Sequence, residues 1–288
     1  MALDELMSVT NRLLTSADAL AAMTARLRLA ELGDEGDPAV RTQLDRVADA
    51  LEAREQYDAL DARERSILVS FARSYLRQAL DLVEDPLRAP GWSYSDPVLL
   101  QAQGSASAAV ADLVSAAGLG SNDARILDVG TGVAGLAIAL CSTFPESTVV
   151  GLDPWEPALT IAQRNVAEAG LGSRITLVGS TIQDFDDSEG FDLTWLPSFF
   201  IPEAGLDDAI ARIHDLLRPG GTLVVGTGTG GTDSLEAAVD DLRTVRSGGS
   251  VISAADAAVR IERAGFADVH EAQLGPDLPL RLVVGSRA

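Results

Sequence analysis

Cysteine is almost missing from this chain. Cys141 stands alone among 288 residues, which excludes an internal disulfide and any cysteine-based zinc cluster. It falls on the apolar helical face LAIALC, where a buried structural thiol is expected. Histidine is scarce too, with only His214 and His270 to supply other ligands, and no metal is expected. Positive charge is in short supply: 22 basic against 43 acidic residues give a formal net charge of −21 and a pI near 4.3. No local basic stripe relieves it, so a phosphate backbone is repelled and nucleic acid is not an expected partner. No apolar run approaches the roughly 18 residues of a membrane span, and the first twenty residues carry acids without a basic leader region. Neither membrane nor secretion is expected, and the cytoplasm is the default location. What is present is ample apolar material: at 47% hydrophobic, the chain can bury the core of one α/β domain with an appendage.

The appendage comes first. From Val47 to Asp85 there is no glycine or proline, and Ile67, Phe71, Tyr75, Ala79 and Val83 recur every four residues, which predicts an apolar stripe on one helix face. Asp61, with Glu64 three residues on, reads as a capping box. PLRAPGWSYSDP, residues 86–97, is punctuated by proline and glycine and carries Trp92 and Tyr94. The expected organisation is a helical region over 1–90, a linker over 91–104 and an α/β domain over 105–288. The helical region is expected to serve as a lid or a self-association surface, and the acidic runs near Asp34 and Asp58 as solvated faces.

After Ser105 short apolar runs alternate with helical stretches. RILDV, TVVGL, RITLVG, DLTWL, TLVVG and VHEAQL are separated by helix-length segments, which predicts βα units and a mostly parallel sheet. Only Gly275 to Pro279 lie between VHEAQL and LRLVV, too few for a crossover, so the last two strands should pair antiparallel. The expected fold class is α/β: a Rossmann-like seven-stranded sheet, mostly parallel with an antiparallel last strand, behind an all-helical N-terminal region.

ILDVGTGVAG, residues 126–135, is the stretch that carries chemistry. Gly130, Gly132 and Gly135 match G-x-G-x-x-G, which suggests a dinucleotide. Asp153 ends the second strand roughly 20 residues on, where a carboxylate accepts hydrogen bonds from a ribose diol. NAD and S-adenosylmethionine share that ribose. Asp128 separates them: an acid inside the first strand repels a pyrophosphate and suits a ligand with an ammonium group. A second glycine cluster, GTGTGG at Gly226, also follows a strand, but no acid-ended strand follows it. It is expected to be a loop bordering the acceptor pocket.

These residues resemble the class I S-adenosylmethionine-dependent methyltransferases, over about the last 170 residues. ILDVGTGVAG is similar to their first motif, GLDPW to the second, FDLTWLPSFF to the fourth and LRPGGTLVV to the turn before the fifth strand. GSTIQDF departs from the third: Ser180 and Thr181 stand where an acid is usual, with Asp184 slightly later. The resemblance implies S-adenosylmethionine as cofactor, held by Asp128, Gly130, Thr131, Gly132, Asp153, Pro154, Trp155, Thr181, Ile182 and Leu196. It implies a small, partly apolar acceptor, with oxygen slightly preferred as the methylated atom. Tyr94, Trp195, Phe199 and Phe200 are the acceptor-lining candidates, set against a plain packing role. The catalytic residue is unassigned: His214 late in its helix and His270 at its strand start both fall at the edge away from the ligand, which favours packing. Competing readings are an NAD-dependent oxidoreductase and a noncatalytic S-adenosylmethionine-binding regulator, and a homodimer through the N-terminal helices is the expected assembly.

Overall fold

A computed structural model describes residues 3–33, 36–228, 234–275 and 280–288. Its contacts divide the chain into Met1–Pro86 with Gln101–Ala106, and Leu87–Leu100 with Ser107–Ala288. The residues expected as linker are thus shared out: Trp92 and Tyr94 go with the α/β unit, and residues 101–104 with the helical one.

The helical unit holds α1 (Leu3–Glu31), α2 (Pro38–Ala50), α3 (Arg54–Ala59) and α4 (Ala62–Glu84). Asp37 caps α2 by accepting from the N–H groups of Ala39 and Val40, with Pro38 in the first turn. Asp61 and Glu64 form the expected capping box on α4. The buried face of α4 is Val69, Ser70 and Ser74, and α1 buries Met23, Thr24 and Leu27. The predicted stripe is corrected here, because Val83 at its far end is 78% exposed. Each four-residue step overshoots a 3.6-residue turn by about 40°, so an unbroken i+4 series walks off the buried face.

The α/β unit continues α5 (Pro97–Ala108) into α6 (Val110–Ala116), then β1 (Arg125–Val129), α7 (Gly135–Thr143), β2 (Thr148–Leu152), α8 (Glu156–Glu168), β3 (Ile175–Val178), β4 (Phe191–Pro197), α9 (Glu203–Leu216), β5 (Leu217–Thr227), α10 (Ser234–Arg246), α11 (Ala254–Arg263), β6 (Ala267–Glu271) and β7 (Arg281–Ser286). The sheet order is β3-β2-β1-β4-β5-β7-β6. All seven expected strands are present, and β6 and β7 pair antiparallel as expected. The reversed strand is not the sheet's edge: β7 inserts between β5 and β6, antiparallel to both. Most of the connection that sequence spacing made short, residues 276–279, lies outside the described residues. So does the second half of the second glycine cluster, beyond Gly228.

Two boundaries differ from expectation. β5 starts at Leu217 rather than Thr222, because Leu217 pairs with Phe191 and pairing resumes at Leu193 with Thr222. The intervening Pro219, which lacks an N–H, fits in a bulge that leaves the ladder locally unpaired. β6 starts at Ala267, so His270 lies inside the strand.

Apolar clusters fill both faces of the sheet. One gathers Leu127, Val129, Ile182, Leu196 and Leu206; the other gathers Ile126, Leu140, Cys141, Leu193 and Trp195. Cys141 is buried, as its apolar face predicted. On the second face Gly226 makes room for an indole: a Cβ there would lie 2.3 Å from Trp195 Cη2. Gly226→Ala is expected to destabilise by about 1–3 kcal/mol through overpacking. Chemical denaturation of the single variant and of Gly226→Ala with Trp195→Leu checks it: the second substitution should remove most of the penalty of the first, and purely additive costs would contradict the clash.

Candidate cofactor and acceptor site

The glycine loop leaves β1 at Val129 and is tied to the end of β2. The N–H groups of Gly130 and Thr131 both donate to Leu152 O, at 2.8 and 2.9 Å. The chain then turns through left-handed conformations at Gly130 (φ 73°), Gly132 (φ 56°) and Ala134 (φ 64°). Gly135 is the first residue of α7, where the third glycine of G-x-G-x-x-G opens the helix, and Ala134 just before it is the third left-handed position. Asn165 on α8 steadies the loop by donating to Val133 O at 2.9 Å, a contact the sequence did not announce.

Asp128 sits one residue before the end of β1, 1% exposed. Its register partners are Gly151 on β2 and Trp195 on β4. Thr131 Oγ1 donates to its Oδ2 at 2.7 Å. A Cβ at Gly151 would come within 2.7 Å of that hydroxyl, so the glycine gives Thr131 its place. Burial pushes the Asp128 carboxyl up to about 7; the Thr131 hydrogen bond opposes the shift and the neighbouring Asp153 adds to it. A carboxyl raised in this way binds its proton more tightly folded than unfolded. Its contribution to stability is therefore greatest at low pH and is lost as pH rises from about 4 through about 7. Asp128→Asn is expected to raise the Tm of the ligand-free protein at pH 8 and to leave it nearly unchanged at pH 5; equal shifts at both would contradict the assignment.

Asp153 follows β2 and is held differently. Its Oδ2 accepts from Gly132 N and its Oδ1 from Trp155 N, both at 2.8 Å. Burial raises its pKa, and those two N–H donors oppose the rise. Each carboxylate oxygen keeps a further lone pair for a ligand. Pro154 is exposed, and Trp155, half-buried, caps α8 and donates its indole N–H to Tyr94 O at 2.7 Å. Beyond β3, Thr181 Oγ1 donates to Asp184 Oδ2 at 2.7 Å, so the late acid of GSTIQDF folds back onto the residue that stands near the usual acid position. The side chains of Ile182 and Leu196 lie in the core.

The aromatic candidates form a line of edge-to-face contacts. Trp92 meets Tyr94 at 5.0 Å and Phe200 at 5.1 Å, and Phe200 meets Phe199 at 5.1 Å. Trp195 is apart from that line, 4% exposed within the core beside Asp128. Arg88 was not anticipated: its guanidinium lies 4.9 Å over the Tyr94 ring and donates to the Tyr94 hydroxyl at 3.2 Å. His214 stacks edge-on against Phe266 at 4.9 Å, and exposed His270 turns its Nδ1 to Asp268 O. Among the described residues no group of three or more His, Cys, Asp or Glu side chains could hold a metal ion, and no helix is long and apolar enough to cross a membrane.

Residues 126–221 match the family described as a methyltransferase domain. The match covers 96 of the 288 residues, a third of the chain. Among curated relatives, a demethylmenaquinone methyltransferase from Thermus thermophilus is 36% identical over 101 residues, 35% of this chain and 46% of its own length. A release factor glutamine methyltransferase from Rhodopirellula baltica is 28% identical over 129 residues, 44% of this chain and 43% of its own. The chain spans about half the length of the curated relatives it matches. Solved structures share the whole fold at low identity. An O-methyltransferase family protein from Burkholderia thailandensis has a TM-score of 0.68 at 17% identity, over 100% of this chain and 98% of that one. Human N-acetylserotonin methyltransferase, solved with S-adenosylmethionine, has a TM-score of 0.66 at 13% identity over 100% of both. In this chain a Cβ at Gly132 would point into space with no atom within 4 Å, so the loop leaves room for a close approach to its backbone.

Proposed function

We propose that the chain transfers a methyl group from S-adenosylmethionine to a small, partly apolar acceptor, with oxygen the preferred acceptor atom over nitrogen or carbon. The observation that carries this is the pair of buried acids at adjacent strand ends, Asp128 on β1 and Asp153 after β2, with the Gly130–Gly132 backbone between them. Asp153 takes the ribose diol through its remaining lone pairs. Asp128 faces the ammonium of the methionine end. Pro154 and Trp155 border the adenine, with Thr181 and the main chain of Ile182 and Leu196 beyond. The bound cofactor supplies a methyl already activated by a sulfonium. The chain's part is to align nucleophile and methyl and to exclude water, and the line Tyr94, Trp92, Phe200, Phe199 supplies an apolar wall for that purpose, with Trp195 beneath. The O-methyltransferase names among the structural neighbours support oxygen. The protein works in the cytoplasm, without nucleic acid or membrane as partner.

Thermal shift tests the cofactor: S-adenosylhomocysteine should raise the Tm by mass action and NADH should not, and the reverse would support an oxidoreductase. A methyl-transfer assay over an acceptor library tests the activity. Persistent inactivity with cofactor bound would favour a noncatalytic S-adenosylmethionine-binding regulator, a reading motivated by the Ser180–Thr181 departure and the lack of an evident base.

A second copy of the chain is the proposed partner of α1. Residues 3–18 of this helix are exposed throughout. Among them Leu3, Leu6, Met7, Leu13 and Leu14 are apolar and 46–72% exposed, and Leu6, Leu13 and Leu20 repeat every seven residues. Two such faces together would bury on the order of 1,200 Å², the low end for a stable interface. Sedimentation at micromolar concentration should give twice the chain mass, and a monomer would end this reading.

A further inference from the structure

Residues 87–96 have no regular secondary structure, yet they are held at both ends. At the first, Arg88 donates to Gly91 O at 2.6 Å, and Gly91 N donates to Arg246 O at 3.1 Å, at the end of α10. A Cβ at Gly248 would lie 2.8 Å from Gly91 Cα, so glycine at 248 lets the two backbones touch. At the second, Trp155 Nε1 donates to Tyr94 O at 2.7 Å while Trp155 N donates to Asp153 Oδ1 at 2.8 Å. Trp92 and Trp155 also pack on one small cluster of Leu100, Val133, Ala158 and Ile161, and Val133 belongs to the glycine loop.

We infer that Trp155 is a positioning residue that couples cofactor occupancy to the aromatic strap of residues 87–96, its indole N–H hooking the strap at Tyr94 while its main-chain N–H hangs on the Asp153 carboxylate. The inference rests on the cofactor reading proposed above. Asp153 shares its two oxygens between the loop, at Gly132, and the strap's anchor, at Trp155. Ribose hydroxyls donating to the same oxygens fix the carboxylate's orientation, and with it the indole and the strap. The indole suits this role because it is a rigid ring with a donor and no acceptor. Tyr94 takes part through its carbonyl, so the hook is specified by the residue at 155. The coupling is reciprocal: an acceptor that settles the strap tightens the cofactor by the same factor.

Hydrogen exchange of the strap amides, with and without S-adenosylhomocysteine, tests this in wild type and Trp155→Phe. Phenylalanine keeps an aromatic ring on the Leu100, Val133, Ala158 and Ile161 cluster and removes the donor. In wild type the ligand should slow strap exchange by about tenfold. Trp155→Phe, saturated with the ligand at a concentration set by calorimetry, should show no slowing at the strap. Equal slowing in both proteins would overturn the coupling alone. A Trp155→Phe protein that no ligand concentration saturates would overturn it too, because the indole would then act on the cofactor alone and not through the strap. No heat with the wild type would overturn the cofactor reading, and the inference with it.

Discussion

Asp153→Ala is expected to weaken S-adenosylhomocysteine binding by about 1.5–3 kcal/mol, the range for hydrogen bonds to a charged group, or roughly ten- to 150-fold. The geometry adds a reason beyond the ribose. The carboxylate accepts from Gly132 N and Trp155 N, so alanine leaves two N–H groups without their acceptor and frees the loop on one side and the cap of α8 on the other. Titration calorimetry reads the affinity, and an unchanged value would remove Asp153 from the site. Asp153→Asn separates the two effects, since its amide oxygen can accept one of the two N–H bonds but brings no charge. It should fall between wild type and alanine.

Gly132→Val is expected to abolish cofactor binding while the helical unit stays folded. Two causes add. At φ 56° an L side chain costs about 1–2 kcal/mol, more for a β-branched one. A side chain there would also fill the open space beside the loop, where the ligand's close approach is proposed. Strain alone would lower Tm and spare affinity; the steric block acts on affinity directly. Gly132→Ala should lie between, with measurable but weakened binding. Calorimetry beside far-ultraviolet circular dichroism distinguishes these outcomes, and wild-type affinity in the valine variant would place the ligand elsewhere.

The sequence carried most of the fold because its signals are local. Short apolar strand runs, the Asp61–Glu64 cap and the short gap before LRLVV each depend on neighbours in the chain, and each has its counterpart in the structure. Errors arose where a local pattern had more than one three-dimensional meaning. The i+4 series from Ile67 to Val83 looked like a stripe and is a slow spiral. Gly135 opens α7 as its motif implied, but the left-handed turn before it fell on Ala134 unannounced. Ala134 was legible in principle, since it continues the alternate spacing of 130 and 132, but an alanine does not advertise a positive φ.

Taken alone, the sequence determined the class of the domain, the alternation of strands and helices, and the place of two acids at the ends of the first two strands. Periodicity and fixed spacings survive in one dimension because adjacent residues share one element. Only the tertiary structure decided that β7 enters the sheet between β5 and β6, that Asp128 is buried against Trp195 and Gly151, and that the strap is tied through Trp155 to Asp153. Those facts join residues far apart in the chain, such as Asp128 with Trp195 and Tyr94 with Trp155. Burial and hydrogen-bond partners over such separations are properties of packing, which no neighbourhood in the chain encodes.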